Sequence, residues 1–229
     1  MTASTPWQLL WQATLETLYM VAATFALTLV FGTALGLFLF LTAPSSLFAE
    51  RLRGASRTVI VVFHHVFSTL VNIVRSLPFV VLLIAIIPFT RLVAGTALGP
   101  TAALVPLTIA TLGFFARVVD NALHEVDAGR LDAVEAMGAS TGQLVFRVLL
   151  PESASALIAG STLTLIATVG NVALAGTIGA GGLGDFAIKY GYQRYDDALM
   201  WITVLVLVII VQAIQIAGDV WLRRRAHKR

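Results

Sequence analysis

Residues 18–41 read LYMVAATFALTLVFGTALGLFLFL, an apolar run that contains no charged side chain. A helix that crosses a membrane needs about 20 such residues, so we predict a membrane span here. Similar runs recur along the whole chain, and the charged residues concentrate between them. The 229 residues are 58% hydrophobic and 12% charged, whereas a soluble domain carries about 25% charged residues. The sequence therefore predicts an all-α integral membrane protein, with residues 1–229 forming a single domain.

The lengths of the apolar runs predict five transmembrane helices. Residues 59–89 are too many for one span and too few for two spans with a loop between them. Arg75 and Pro78 interrupt this stretch, because an arginine is costly inside a bilayer and a proline removes a helical hydrogen bond. We therefore expect residues 58–74 to form an apolar helix at or near the cytoplasmic face. The five predicted spans are residues 18–41, 76–91, 102–119, 154–175 and 198–221.

The distribution of basic residues predicts the topology, because loops rich in Lys and Arg generally stay in the cytoplasm. One basic loop contains Arg51, Arg53 and Arg57 beside Glu50, and Glu16 is the sole charge before that loop. With five spans, the N-terminus is then expected outside and the C-terminus in the cytoplasm. The C-terminal tail is also basic, but no basic face with interleaved aromatic residues accompanies it. We therefore interpret the tail as a topology signal rather than a nucleic-acid site. The tail consists of Arg223, Arg224, Arg225, Lys228 and Arg229.

Several kinds of chemistry are missing from the sequence. It has no cysteine, and neither Lys189 nor Lys228 lies in a phosphate-binding P-loop motif. No carboxylate lies deep in a predicted span, which argues against an ion-coupled carrier. No nucleophile with a base is recognisable, so we predict no catalytic residue. The neighbouring His64 and His65 favour packing over metal binding, so we predict no metal site.

Residues 179–184, GAGGLG, match the glycine pattern of dinucleotide-binding sites. That fingerprint requires a preceding strand, a following helix and an acidic residue about 20 positions later. Here the pattern instead follows a predicted membrane span. We predict a tight turn with an exposed backbone at the mouth of the membrane domain.

The most informative segment is the polar loop at about residues 120–152. We predict a short helix over 131–137, a turn at Gly138, and a second helix that Ser140 and Gln143 begin with a capping box. Pro151 is expected to stop this second helix. A helix-turn-helix between two spans is suited to docking a soluble partner, and the alternative is an ordinary connecting loop.

This loop resembles the EAA loop of bacterial ABC importer permeases. The family pattern is Glu-Ala-Ala, three residues, Gly, nine residues, then Ile-x-Leu-Pro, and the spacing is kept here. Asp132 replaces Glu, Val134 replaces the second Ala and Val148 replaces Ile. The resemblance implies that the loop couples the spans to an ATPase. The implied coupling residues are Asp132, Ala133, Val134, Gly138, Val148, Leu150 and Pro151.

Over about residues 70–225 the chain is similar to the methionine uptake permeases of the ABC superfamily. The matching segments are NIVRSLPF at 72–79, IPFTR at 87–91, AR at 116–117, DNAL at 120–123, AMGA at 136–139, GAGGLG at 179–184 and QIAGD at 215–219. The resemblance implies a bacterial inner-membrane importer of D- or L-methionine with the ABC importer permease fold. The implied assembly is a homodimer with two ATPase subunits, which bind ATP and Mg, and an external methionine-binding lipoprotein. No cofactor is implied for this chain.

A polar stripe in the fourth predicted span consists of Ser161, Thr164, Thr168 and Asn171. Their spacing places them on one helical face, where they could line the translocation pathway or form hydrogen bonds between helices. Tyr190 and Tyr192 are expected in an interfacial aromatic belt. The alternative functions are an importer permease for another amino acid, an ion-coupled secondary transporter and a membrane enzyme.

Overall fold

The computed structural model describes residues 5–44, 46 and 55–226, and in this part of the chain all regular structure is helical. Glu50, Arg51, Arg53, Lys228 and Arg229, on which part of the topology prediction depends, lie outside the described residues. The helices are α1 Pro6–Thr42, α2 Ala55–Ser76, α3 Phe79–Ala85, α4 Ile87–Ala94, α5 Pro100–His124, α6 Ala128–Ala136, α7 Thr141–Leu144, α8 Leu150–Ala175, α9 Gly182–Phe186 and α10 Asp197–Ala226.

Five helical segments are long and apolar enough to cross a membrane, as predicted. They are Pro6–Thr42, Ser56–Ser76, Pro100–His124, Thr141–Ala180 and Asp197–Arg225. Four of them contain the predicted spans 18–41, 102–119, 154–175 and 198–221. The helices extend beyond these spans at one or both ends, because polar residues at a helix end can remain helical outside the apolar region.

The second predicted span was wrong in its bounds. The chain breaks between Ser76 and Phe79, as expected from Pro78, but the long helix is α2 on the N-terminal side of the break. Residues 76–91, predicted as a span, fall largely in α3 and α4, which have 7 and 8 residues and are separated at Ile86. Apolar composition alone could not show on which side of the break the longer helix forms.

The prediction that Pro151 stops the second loop helix was also wrong. Pro151 lies in the first turn of α8, and α7 joins α8 through a π-helical turn, Val145–Leu149. In this wider turn the Leu150 N–H donates to the carbonyl oxygen of Val145. A proline is tolerated at the beginning of a helical segment because its missing N–H is not required there.

The described chain forms two compact units. The first comprises Met1–Thr28, Leu77–Thr111 and Thr162–Ala217, and the second comprises Leu29–Ser76, Leu112–Ser161 and Gly218–Arg229. In the second unit, α1 and α5 approach closely at Gly36, where an added Cβ would lie 2.5 Å from the carbonyl oxygen of Ala116. Gly32 lies one turn earlier on α1, where an added Cβ would be 2.8 Å from Phe115 Cδ1, so the two glycines of this GxxxG spacing both allow close packing between helices.

Candidate partner-docking loop

The predicted helix-turn-helix is present between α5 and α8. The first helix is α6, Ala128–Ala136, and Gly138 follows with a φ of +83°. An added Cβ at Gly138 would meet no atom within 4 Å, so the glycine is required by the backbone conformation and not by crowding. The left-handed turn joins α6 to α7.

The predicted capping box begins α7. The Ser140 N–H donates to Gln143 Oε1 at 2.9 Å, and the Gln143 N–H donates to Ser140 Oγ at 3.4 Å. These two bonds satisfy backbone donors that have no partner within the helix. The start of α7 is therefore fixed relative to the Gly138 turn.

The inner side of the loop is packed on the membrane helices. Leu131, Leu144, Val145 and Leu149 are buried in one apolar cluster that also contains Phe115 of α5. In addition, Arg130 Nη1 lies 2.9 Å from Glu152 Oε2, which ties α6 to the beginning of α8. A force on the loop would thus reach the membrane helices through packed side chains rather than through a flexible linker.

The outer side of the loop carries two large apolar side chains. Met137 is 78% exposed and Phe146 is 70% exposed. The sequence interpretation missed both residues, although two large apolar residues in the most polar segment of the chain were a usable signal. Exposed apolar side chains surrounded by polar residues are typical of a protein contact surface.

The predicted coupling residues divide into two groups. Asp132, Ala133, Gly138 and Pro151 are exposed, so they are available to a partner. Val134, Val148 and Leu150 are partly buried against the apolar cluster beneath the loop. The exposed residues of the predicted set are therefore the ones that a partner can contact, and the partly buried ones attach the loop to the spans.

The predicted polar stripe lies on α8, but its members differ in exposure. Thr164 and Thr168 are fully buried within the single chain, and the Thr168 hydroxyl donates to the Thr164 carbonyl at 2.8 Å. Ser161 and Asn171 are half-buried. A pathway role for the four residues stays a prediction.

The glycine-rich segment 179–184 turns before α9 as predicted, but the prediction of an exposed backbone was wrong, because Gly182, Leu183 and Gly184 are buried at the beginning of that helix. Gly179, Gly181 and Gly182 have positive φ angles of 93°, 84° and 76°. Two residues of α1 hold the turn: Glu16 Oε2 accepts from the Gly182 N–H at 2.8 Å, and Thr17 Oγ1 accepts from the Leu183 N–H at 2.8 Å. This pairing could not be predicted from the sequence, because the partners are 166 positions apart.

An ion pair and an aromatic stack lie just after the glycine-rich segment. Lys189 Nζ lies 2.8 Å from Asp185 Oδ2. The hydrogen bond to Asp185 raises the pKa of Lys189 above its ordinary value. Tyr190 stacks on Phe186 with the ring centroids 4.8 Å apart, while Tyr192 is exposed.

The comparison with protein families identifies the chain. Residues 61–227 match the family described as "Binding-protein-dependent transport system inner membrane component". The chain belongs to this family. It is therefore a multi-pass inner-membrane component of a transport system, and the match includes the candidate docking loop.

Individual relatives agree with this assignment over nearly the full length. The chain is 43% identical to the "Probable D-methionine transport system permease protein MetI" of Vibrio cholerae, over 96% of this chain and 93% of the relative. It is 44% identical to the "Methionine import system permease protein MetP" of Bacillus subtilis, over 92% and 90%. A solved structure of the MetNI methionine ABC transporter in an inward-facing conformation matches with a TM-score of 0.88 and 40% identity, over 97% of this chain and 99% of that chain. The fold is thus that of an ABC importer permease.

Proposed function

We propose that this chain is the membrane-spanning permease subunit of an ABC importer that carries methionine into the cytoplasm. The single observation that supports this most strongly is the docking loop, whose inner side packs on the spans while Met137 and Phe146 stand exposed on its outer side. Such a loop can receive movement from a soluble partner and pass it to the spans. The names of the relatives support methionine as the substrate.

Energy for transport comes from a separate ATPase, because the chain has no P-loop of its own. In the proposed assembly two copies of the chain associate with two ATPase subunits, which hold ATP and Mg, and a methionine-binding lipoprotein delivers substrate from outside. The N-terminus lies outside and the C-terminus in the cytoplasm. This orientation puts Arg223, Arg224 and Arg225, at the end of α10, on the cytoplasmic side.

The proposed cycle couples ATP hydrolysis to alternating access. Met137 and Phe146 insert their apolar side chains into the ATPase, and Asp132 forms a polar contact at the edge of that interface. Closure of the two ATPase subunits then moves the loop, and the buried cluster around Leu149 transmits the movement to α5 and α8. Ser161, Thr164, Thr168 and Asn171 are proposed to contribute to the pathway when the helices rearrange.

Uptake by proteoliposomes containing the full complex tests this function. We expect labelled methionine to accumulate only with internal ATP and the binding protein, with saturation and with competition by unlabelled methionine. A protonophore should leave the uptake intact, which separates the importer from an ion-coupled carrier. If another amino acid competes strongly while methionine does not, the importer function remains and the substrate is corrected.

A further inference from the structure

A small cavity lies where α4, the beginning of α5 and the turn after α8 meet. It has a volume of about 20 Å³, and its lining includes Thr90 of α4, Ala102 and Pro106 of α5, and Ile178 of the turn Gly176–Ala180. On the same measure a cavity needs at least about 10–15 Å³ to hold one water molecule. The space is therefore sufficient for a single water.

The hydroxyl of Thr90 supplies one polar group to this cavity. Thr90 is 3% exposed, and its Oγ1 has no hydrogen-bond partner among the described residues. The buried Thr17 and Thr168 instead donate to the carbonyl oxygen four residues earlier in their helices. For Thr90 that residue is Ile86, which separates α3 from α4 and has a φ of −97° and a ψ of 13°. Because a buried hydroxyl without a partner is destabilising, a water beside Thr90 would remove this cost.

The carbonyl oxygen of Ala102 supplies a second polar group. In an α-helix this oxygen accepts from the N–H four residues later, but that residue is Pro106, which has no N–H. Helical carbonyl groups point along the helix towards those N–H groups, so the oxygen of Ala102 faces the level of Pro106. Both residues line the cavity. The carbonyl that the proline leaves without its helical donor thus lies in the cavity wall.

The chemistry of the lining favours water over a metal ion or an empty space. None of the described lining residues carries a charge, whereas bound metal ions such as Ca²⁺ take several oxygen ligands, among them carboxylates. Cavities that stay empty are apolar, and this one has a hydroxyl and a carbonyl in its wall. Ala97 also lines it and belongs to the connection at residues 95–99, outside the candidate spans. Water can therefore enter from the aqueous end of α5.

We propose that this cavity binds one ordered water molecule, which bonds to the Thr90 hydroxyl and donates to the Ala102 carbonyl oxygen. Buried waters make about two to four hydrogen bonds, and these two groups supply the minimum. The water completes the backbone hydrogen bonding that Pro106 leaves open, and it joins α4 to the first turns of α5. The site does not depend on which substrate is imported.

Thermal unfolding of the full chain in detergent tests the site, because a hydrated and a dry cavity predict opposite signs. Thr90→Val keeps the shape of the side chain and removes the hydroxyl. With the water bridge, this variant should lower the melting temperature by roughly 2–4 °C. In a dry cavity the same change removes an unsatisfied polar group, so the melting temperature would stay the same or rise.

Thr28→Val is the matched control. Thr28 is fully buried and its hydroxyl also has no partner among the described residues, but it is not part of the lining of this cavity. We expect its melting temperature to stay the same or rise. An equal fall for Thr28→Val and Thr90→Val would count against the water site, because the loss would then not depend on the cavity.

A double-mutant cycle assigns the loss to the bridge itself. Pro106→Ala restores an N–H that can bond to the Ala102 carbonyl oxygen within α5, so the water loses this partner. In the Pro106→Ala background, Thr90→Val should lower the melting temperature by roughly 1 °C or less. A packing effect of valine would be the same in both backgrounds.

A high-resolution structure of the unaltered permease–ATPase complex examines the site directly. We expect density for one water within about 3.2 Å of both Thr90 Oγ1 and the Ala102 oxygen. This measurement uses no variant, so it stays decisive even when Pro106→Ala is unstable. Absence of that density, no fall for Thr90→Val, or an equal fall with and without Pro106 would overturn the proposal.

Discussion

Ser140 and Gln143 bond to each other across the first turn of α7, each backbone N–H donating to the side chain of the other residue. Because the turn at Gly138 lies two residues earlier, these bonds define where the second helix of the docking loop begins. Phe146 follows in the same continuous helical segment, so its position at the surface depends on this start.

The first prediction concerns the cap. Ser140→Ala should destabilise the start of α7 by about 1 kcal/mol, because the Gln143 N–H loses its acceptor. We expect faster hydrogen exchange in residues 141–144 and lower uptake at equal abundance in the membrane. Thr141→Ala, one position later and exposed, is the matched control and should change neither quantity. Unchanged exchange in Ser140→Ala would show that the cap does not hold the helix.

The second prediction concerns Gly138. Gly138→Val should abolish uptake while the protein still inserts, because a β-branched residue is strained at a φ of +83°. Gly138→Asn should retain most uptake, since asparagine tolerates the left-handed conformation. A Cβ added at this position meets no atom within 4 Å, so the comparison tests backbone strain rather than crowding at the Cβ. Uptake per inserted molecule is the measurement, and equal activity of the two variants would contradict the account.

The loop was predictable because its determinants are local. The capping box spans four residues, and the glycine turn follows from the absence of a Cβ. Pro151 misled the prediction because its effect depends on the hydrogen-bond ladder around it, and the π-helical turn before it is not visible in the sequence. The break at Pro78 was predictable, whereas the length of the helix on each side was not.

The third prediction concerns the contact of α1 with α5. At Gly36 an added Cβ would lie 2.5 Å from both the Ala116 carbonyl oxygen and Val119 Cβ. Because a backbone atom cannot turn aside, Gly36→Ala should destabilise the protein by roughly 1–3 kcal/mol. Gly170→Ala in α8 meets nothing within 4 Å and should be neutral or stabilising by about 0.5–1 kcal/mol. Thermal unfolding in detergent compares the two, and a lower melting temperature for Gly170→Ala than for Gly36→Ala would refute the packing argument.

The fourth prediction concerns Glu16. Glu16→Ala removes the acceptor of the Gly182 N–H and should cost roughly 1–3 kcal/mol. Glu16→Gln keeps a carbonyl oxygen at the same distance along the side chain and should lose much less. Hydrogen exchange at Gly182 measures the bond itself. If Ala and Gln variants exchange at the same rate as the parent, Glu16 does not hold the turn.

Contacts between distant segments could not be predicted from the sequence. Glu16 was noticed as the only charge in the first 49 residues, but its partner lies in the glycine turn 166 positions later. Arg75 was interpreted as a helix breaker because its cost in a bilayer is a local property. Its position beside Gly113 of α5 appears only when α2 is packed against α5.

Cross-linking from Met137 tests most directly whether the loop binds the ATPase. Met137→Cys would be the only cysteine of the chain, and a short thiol-to-amine reagent then joins it to neighbouring lysines. We predict a cross-linked product with the ATPase subunit from Met137→Cys and none from Trp201→Cys, which is similarly exposed at 71% on α10. Adding Asp132→Lys should reduce the yield, because a reversed charge weakens the interface. A complex that hydrolyses ATP and imports substrate, yet gives no product from Met137→Cys, would contradict the docking assignment.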